Sequence, residues 1–260
     1  MRGRGVLGHA ARLRAHGPPF LREERFVVKN VLKISAAAAV LALAGAAQAD
    51  LAFSFADPGA GIRPVTAVKN GGGAGIARIT YNLSAPIQFI VDGTNEPGFL
   101  GGSPQVFNAS LELQLDLGAA TTAGGVTTAS VNGYFIVKDN VSNQVILRGD
   151  TIAGAGAFVR VGGTNSILFS NDTGFQYTFG AALNSLLAPG RTPANPQEAV
   201  FTLTNILVAQ GLSLIDAQTK EFNSFSANSS FTGNTAVVPS AGSLALMGLG
   251  GLIASRRRRA

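Results

Sequence analysis

Residues 110–118 read SLELQLDLG, and their alternation decides the fold class. Leu111, Leu113, Leu115 and Leu117 fall on one side of an extended chain, with Glu112, Gln114 and Asp116 on the other. A period of two with one apolar and one charged side marks a strand that packs against a core on one face and meets water on the other. Looser versions of the pattern recur outward in both directions. Upstream are LAFSFA (51–56), ARITYNLS (77–84) and PIQFIVDG (86–93). Downstream are VNGYFIVKD (131–139), NQVILRGD (143–150), AFVRVGG (157–163), SILFSN (166–171), FQYTFG (175–180), AVFTLTNI (199–206) and LSLIDAQ (212–218).

Between these runs lie turn clusters, including DPGAG (57–61), KNGGGAG (69–75), DGTNEPG (92–98), AATTAGG (119–125) and SNDTG (170–174). About a dozen short strands with Gly-rich turns predict an all-β chain, an antiparallel β-sandwich or jelly-roll-like domain. Phenylalanines in the strands, drawn from 16 in the chain, supply its core. One helical exception is expected at GAALNSLLA (180–188), followed by a Pro-rich loop, PGRTPANPQE (189–198). EFNSFSANSSFTG (221–233) closes the domain, and its small polar residues suggest a strand passing into a flexible stalk over 226–237.

The formal charge of +6 suggests a polyanionic partner until the charges are located. Of 20 Lys and Arg, eight precede Asp50 and four are Arg256, Arg257, Arg258 and Arg259. The stretch from Asp50 to Val238 therefore holds eight cations against twelve of the 14 carboxylates, and is net acidic. No basic groove for a phosphate backbone is available there, so a nucleic-acid partner is not expected. Cysteine is absent, which removes disulfides and thiolate chemistry. Both histidines, His9 and His16, precede the body, which therefore lacks the usual general base and the commonest zinc ligand. No cofactor is expected.

The two ends carry their own signals. FVVKNVLKISAAAAVLALAGAAQA (26–49) has Lys29 and Lys33, then an apolar run over 34–44, then the small-x-small site Ala47-Gln48-Ala49. This is the layout of a signal peptide cut by signal peptidase before Asp50. The Arg- and Gly-rich residues upstream suggest an alternative start at Val27 or Val28. At the other end, VVPSAGSLALMGLGGLIASRRRRA (237–260) has 18 uncharged residues from Val237 to Ala254, the lower limit for a membrane-crossing helix. The four arginines behind it would hold that end on the cytoplasmic side.

This tail resembles the PEP-CTERM sorting signal of bacterial exported proteins: a short Val-Pro motif, an apolar helix (SLALMGLGGLIAS, 243–255) and a terminal arginine cluster. Val238 and Pro239 match the start of the motif, while Ser240 and Ala241 stand where the family has Glu-Pro. The resemblance covers the last 24 residues or so. It implies recognition by an exosortase-type processing enzyme, removal of the tail, and a setting alongside extracellular polysaccharide.

Candidates for chemistry in the body are sparse. Glu112 and Asp116 share a strand face but lie roughly 13 Å apart along it, too far for a glycosidase pair; a solvated face is the expected reading. Asp92, Asn95 and Glu96, with Thr94, form an oxygen-rich cluster that calcium accepts, but a hairpin turn needs the same residue types. GGGAGIAR (71–78) has the glycines of a phosphate loop without the lysine or the helix that would complete it. Tyr81, Tyr134 and Tyr177 could face a sugar, though strand aromatics are more often core.

The layout expected from sequence is therefore an N-terminal extension and signal peptide (1–49), a β-sandwich domain (50–225), a stalk (226–237) and a sorting tail (238–260). The expected function is a non-catalytic exported surface or matrix protein, first anchored in the inner membrane by its tail and then moved to the cell surface or medium. A surface-displayed carbohydrate- or calcium-binding module is the alternative.

Overall fold

The computed structural model describes residues 50–57, 62–82, 84–151, 154, 156–170 and 174–239. Ala47, Ala49 and Arg256 to Arg259 lie outside the described residues, as does most of the SNDTG turn. Among the described residues no helix is long and apolar enough to cross a membrane.

Among the described residues the chain is nearly all antiparallel β, as its period of two predicts. The described residues form thirteen strands: β1 (Asp50–Ala56), β2 (Val65–Gly73), β3 (Ile76–Tyr81), β4 (Ile87–Asp92), β5 (Gln105–Leu117), β6 (Thr121–Ala123), β7 (Val126–Asp139), β8 (Val145–Thr151), β9 (Gly156–Val161), β10 (Thr164–Ser170), β11 (Phe175–Phe179), β12 (Arg191–Val208) and β13 (Phe225–Pro239). One helical turn, α1 (Ala181–Asn184), precedes β12.

The ladders join into one sheet that returns to its starting strand. Following hydrogen-bonded neighbours gives β2–β3–β5–β7–β9–β10–β12–β13 and then β2 again. The closed circuit gives each of its eight strands a neighbour on both sides, which limits the edges that otherwise template aggregation, while β6 and β11 each keep a single ladder partner. The four long strands β5, β7, β12 and β13 carry the circuit; β5, β7 and β13 each serve two short strands end to end along one side, while β12 pairs with β10 and β13. On β13, β2 pairs with Phe225–Ala227 and β1 with Ser230–Ala236. On β7, β9 pairs with Val126–Val131 and β8 with Tyr134–Lys138.

Each such fork leaves backbone groups without a ladder partner, and side chains fill the gap. At the β13 fork, the Ser229 amide donates to the Asp57 carboxylate, the Asp57 amide donates to the Ser229 carbonyl at 3.1 Å, and the Tyr81 hydroxyl donates to Asp57 at 2.6 Å. Burial and that carboxylate push the Tyr81 phenol far above its ordinary range. At the β7 fork, the Gly133 amide donates to the Thr151 hydroxyl at 2.6 Å, which in turn donates to the Gly133 carbonyl at 2.9 Å. Gly133 has φ of 139°, and a Cβ there would lie 2.0 Å from the Gln114 carbonyl oxygen, so only glycine fits.

The core is aromatic and sandwich-like, with β12 and β13 facing β7 across it. Phe135 of β7 lies 5.3 Å from both Phe201 of β12 and Phe231 of β13, ring centre to ring centre. Leu111, Leu113, Leu115 and Leu117 all point inward, as their alternation predicts.

Four expectations are corrected. Residues 226–237 are not a stalk: they form most of β13, with Ala227, Phe231 and Val237 buried, so the domain runs to Pro239 rather than to 225. Small polar residues misled here because Ser229 and Thr235 face inward with partners of their own; the Thr235 hydroxyl donates to the Ala194 carbonyl at 3.1 Å. The Pro-rich segment is the first half of β12, where Pro193 pairs only with Val237 of β13 and a register shift between Ala194 and Gln197 absorbs Pro196. Finally, LSLIDAQ contributes only the bridge of Ile215 with Phe222, whereas β2, whose end was read as turn, is a strand of the circuit.

Candidate functional site

Asp50 and Pro239, at the two expected processing points, are brought to the same end of the sheet. Asp50, the first residue of β1, lies opposite Ala236 of β13. Val238 and Pro239 extend past that pair and are held on their other side by Thr192 and Arg191 of β12. In a mature chain starting at Asp50, no residue of β1 lies across from Val238 or Pro239.

The turn holding the calcium candidates is built for folding. The Asp92 carboxylate accepts from the Thr94 amide at 3.0 Å and the Thr94 hydroxyl at 2.7 Å, and these bonds hold it below the usual aspartate range. Glu96 instead turns inward. Its side chain is 1 % exposed, lies 3.4 Å from the Arg191 guanidinium, and accepts from the Gly98 amide at 3.0 Å. Asn95 is exposed in the turn between them. The two anionic candidates are thus occupied by different partners, and among the described residues no three His, Cys, Asp or Glu converge on a metal position.

Glu112 and Asp116 point outward from β5, each tied to a cation. Arg78 grips Asp116 through two bonds of 2.8 and 2.9 Å. Lys138 reaches Glu112 at 2.9 Å, and the Tyr134 hydroxyl donates to the same carboxylate at 3.1 Å. These bonds hold the Glu112 carboxyl below its ordinary range, the Lys138 bond most of all. Arg148 caps the group, over the Tyr134 ring at 5.0 Å and paired with Asp150. Tyr81 and Tyr177 are buried. GGGAGIAR is the β2–β3 hairpin, closed by a bond from the Gly75 amide to the Asn70 side chain at 2.9 Å.

The sequence did not single out a cavity of about 630 Å³ at the opposite end of β12 from the Arg191 junction. It lies between the β9–β10 turn, the last residues of β12 and the loop at 213–214. Arg160 brings a guanidinium, Thr164 and Thr204 bring hydroxyls, Leu203 and Leu214 bring apolar surface, and no carboxylate lines it. Among the described residues Arg160 makes no ion pair; its Nε reaches only the Gly162 carbonyl at a long 3.4 Å. Asn165, 7 % exposed, donates to the Gly163 carbonyl at 3.2 Å, while its Oδ1 is enclosed with no protein donor. A buried acceptor of this kind costs on the order of 1–3 kcal/mol. No sequence motif marks the site, because Arg160 and Asn165 are joined to the 202–214 segment only through ladder register. Comparison with known proteins finds no matching family model, no matching curated protein and no matching solved structure.

Proposed function

We propose that this chain is a non-catalytic exported protein whose β-sandwich domain, residues 50–239, is released by signal peptidase at its front and sorted by an exosortase-type enzyme at its back. The observation that carries this reading is the placement of the two junctions. Among the described residues β1 begins at Asp50 and β13 ends at Pro239, so neither cut would remove a described residue of the circuit. Cutting upstream of Phe231 would instead open the core. The acidic body suits an outward-facing domain, and Arg256 to Arg259 suit the cytoplasmic side. After processing, the domain would reside at the cell surface or among extracellular polysaccharide.

Two variants test the sorting step by immunoblot of membrane and medium fractions. Replacing Arg256 to Arg259 with serine should remove the cytoplasmic stop, giving a secreted or degraded chain with its tail uncut. Replacing Val238 and Pro239 with serine should leave an inserted chain, heavier by the tail. If neither variant changes fraction or mass, the tail is not a processed signal.

A further inference from the structure

We infer that the cavity between the β9–β10 turn and the end of β12 is a binding site for a hydroxylated carboxylate, the chemistry of a sugar acid. The inference rests on the domain alone and does not depend on the tail. A volume of about 630 Å³ falls within the range of small-molecule sites. Charge selects the ligand's sign: the lining carries one guanidinium and no carboxylate, within a body that is acidic elsewhere. An anion therefore meets an Arg160 side chain that no described carboxylate engages, and a planar guanidinium is the side chain best suited to grip a carboxylate with two parallel bonds.

Hydroxyl recognition follows from the rest of the wall. Thr164, Thr204 and Asn165 offer donors and acceptors, and Leu203 and Leu214 offer apolar contact for the C–H face of a ring. Asn165 makes the strongest case. Its Oδ1 is buried with no donor on it, and turning the amide toward the cavity would let a ligand hydroxyl supply one. A neutral sugar would leave Arg160 unused, and the cavity lining contains no aromatic ring on which such a sugar could stack.

Isothermal titration of the purified exported protein tests this with D-galacturonate, trigalacturonate, the trisaccharide's methyl ester and neutral maltotriose. Saturable binding of an acidic probe is expected, with the ester and maltotriose weaker by about tenfold or more. Monomer and trisaccharide binding equally well would indicate a free sugar acid as ligand, while binding of the trisaccharide alone would indicate an acidic polymer; both support the site. Arg160→Gln should reproduce the ester's loss and remove the salt dependence of binding. Asn165→Leu separates ligand recognition from folding: binding should fall while the melting temperature holds or rises, since the buried acceptor is removed with it. No saturable binding up to about 10 mM would overturn the inference. So would equal binding of maltotriose, or unchanged affinity in Arg160→Gln.

Discussion

Replacing Phe231 with alanine separates a core strand from a stalk in one experiment. Phe231 is 1 % exposed and sits within 4.9 Å of Phe201, 5.3 Å of Phe135, 5.5 Å of Phe55 and 6.3 Å of Phe89, measured between ring centres. It therefore joins β13 to β12, β7, β1 and β4 at a single point. Truncating a buried Phe to Ala costs about 3–5 kcal/mol through lost transfer energy and the cavity left behind. Four aromatic neighbours place this position toward the upper end, since each favourable ring pair adds about 0.5–1.5 kcal/mol. For a domain of this size, about 2–4 °C per kcal/mol converts the loss to a fall of roughly 6–20 °C in melting temperature. The neighbouring Thr232→Ala is the control, because Thr232 is exposed on the outer face and should change stability by no more than about 0.5 kcal/mol. Thermal melts followed by circular dichroism on both purified variants decide the matter. Equal melting temperatures would mean that 226–237 is not part of the core.

Leu113→Asp should cost several kcal/mol by burying an unpaired charge, while Glu112→Gln on the opposite face should cost little. Because the folded Glu112 carboxyl titrates below its ordinary range, its contribution is present above the unfolded pKa and is lost as pH falls through the folded one; the melting difference between wild type and Glu112→Gln should therefore shrink below about pH 4. Gly133→Ala should be among the most disruptive single-methyl changes, since both its φ and the Gln114 carbonyl oppose a side chain, and urea unfolding will register it. Arg191→Met should cost about 3–5 kcal/mol by leaving buried Glu96 without its cation, and adding Glu96→Gln should recover part of that in a double-mutant cycle.

Local alternation carried most of the fold. The leucines of β5 point inward in the register their spacing implies, and the outward Glu112 and Asp116 lie in ion pairs on the wet face. What alternation could not convey is how strands share neighbours. The inward side of β13 mixes Phe231 with Ser229 and Thr235, so its polarity resembled a linker until Asp57 and Ala194 were brought to it by distant parts of the chain. Pro193 and Pro196 read as loop because a proline cannot donate to a ladder, yet one-sided pairing and a register shift accommodate both. The Glu96–Arg191 pair spans the sequence from a turn to β12, and nothing in DGTNEPG announces it. The cavity was invisible for the same reason, since its residues meet only when β9, β10 and β12 are paired.

Intact-mass measurement of the protein recovered from the cell surface and the medium tests the central claim most directly. The expected species begins at Asp50 and ends at or beyond Pro239 but before Arg256, keeping every strand of the circuit and neither terminal signal. A surface species that retains the residues before Asp50 or the four arginines, or one that ends upstream of Phe231, would contradict it.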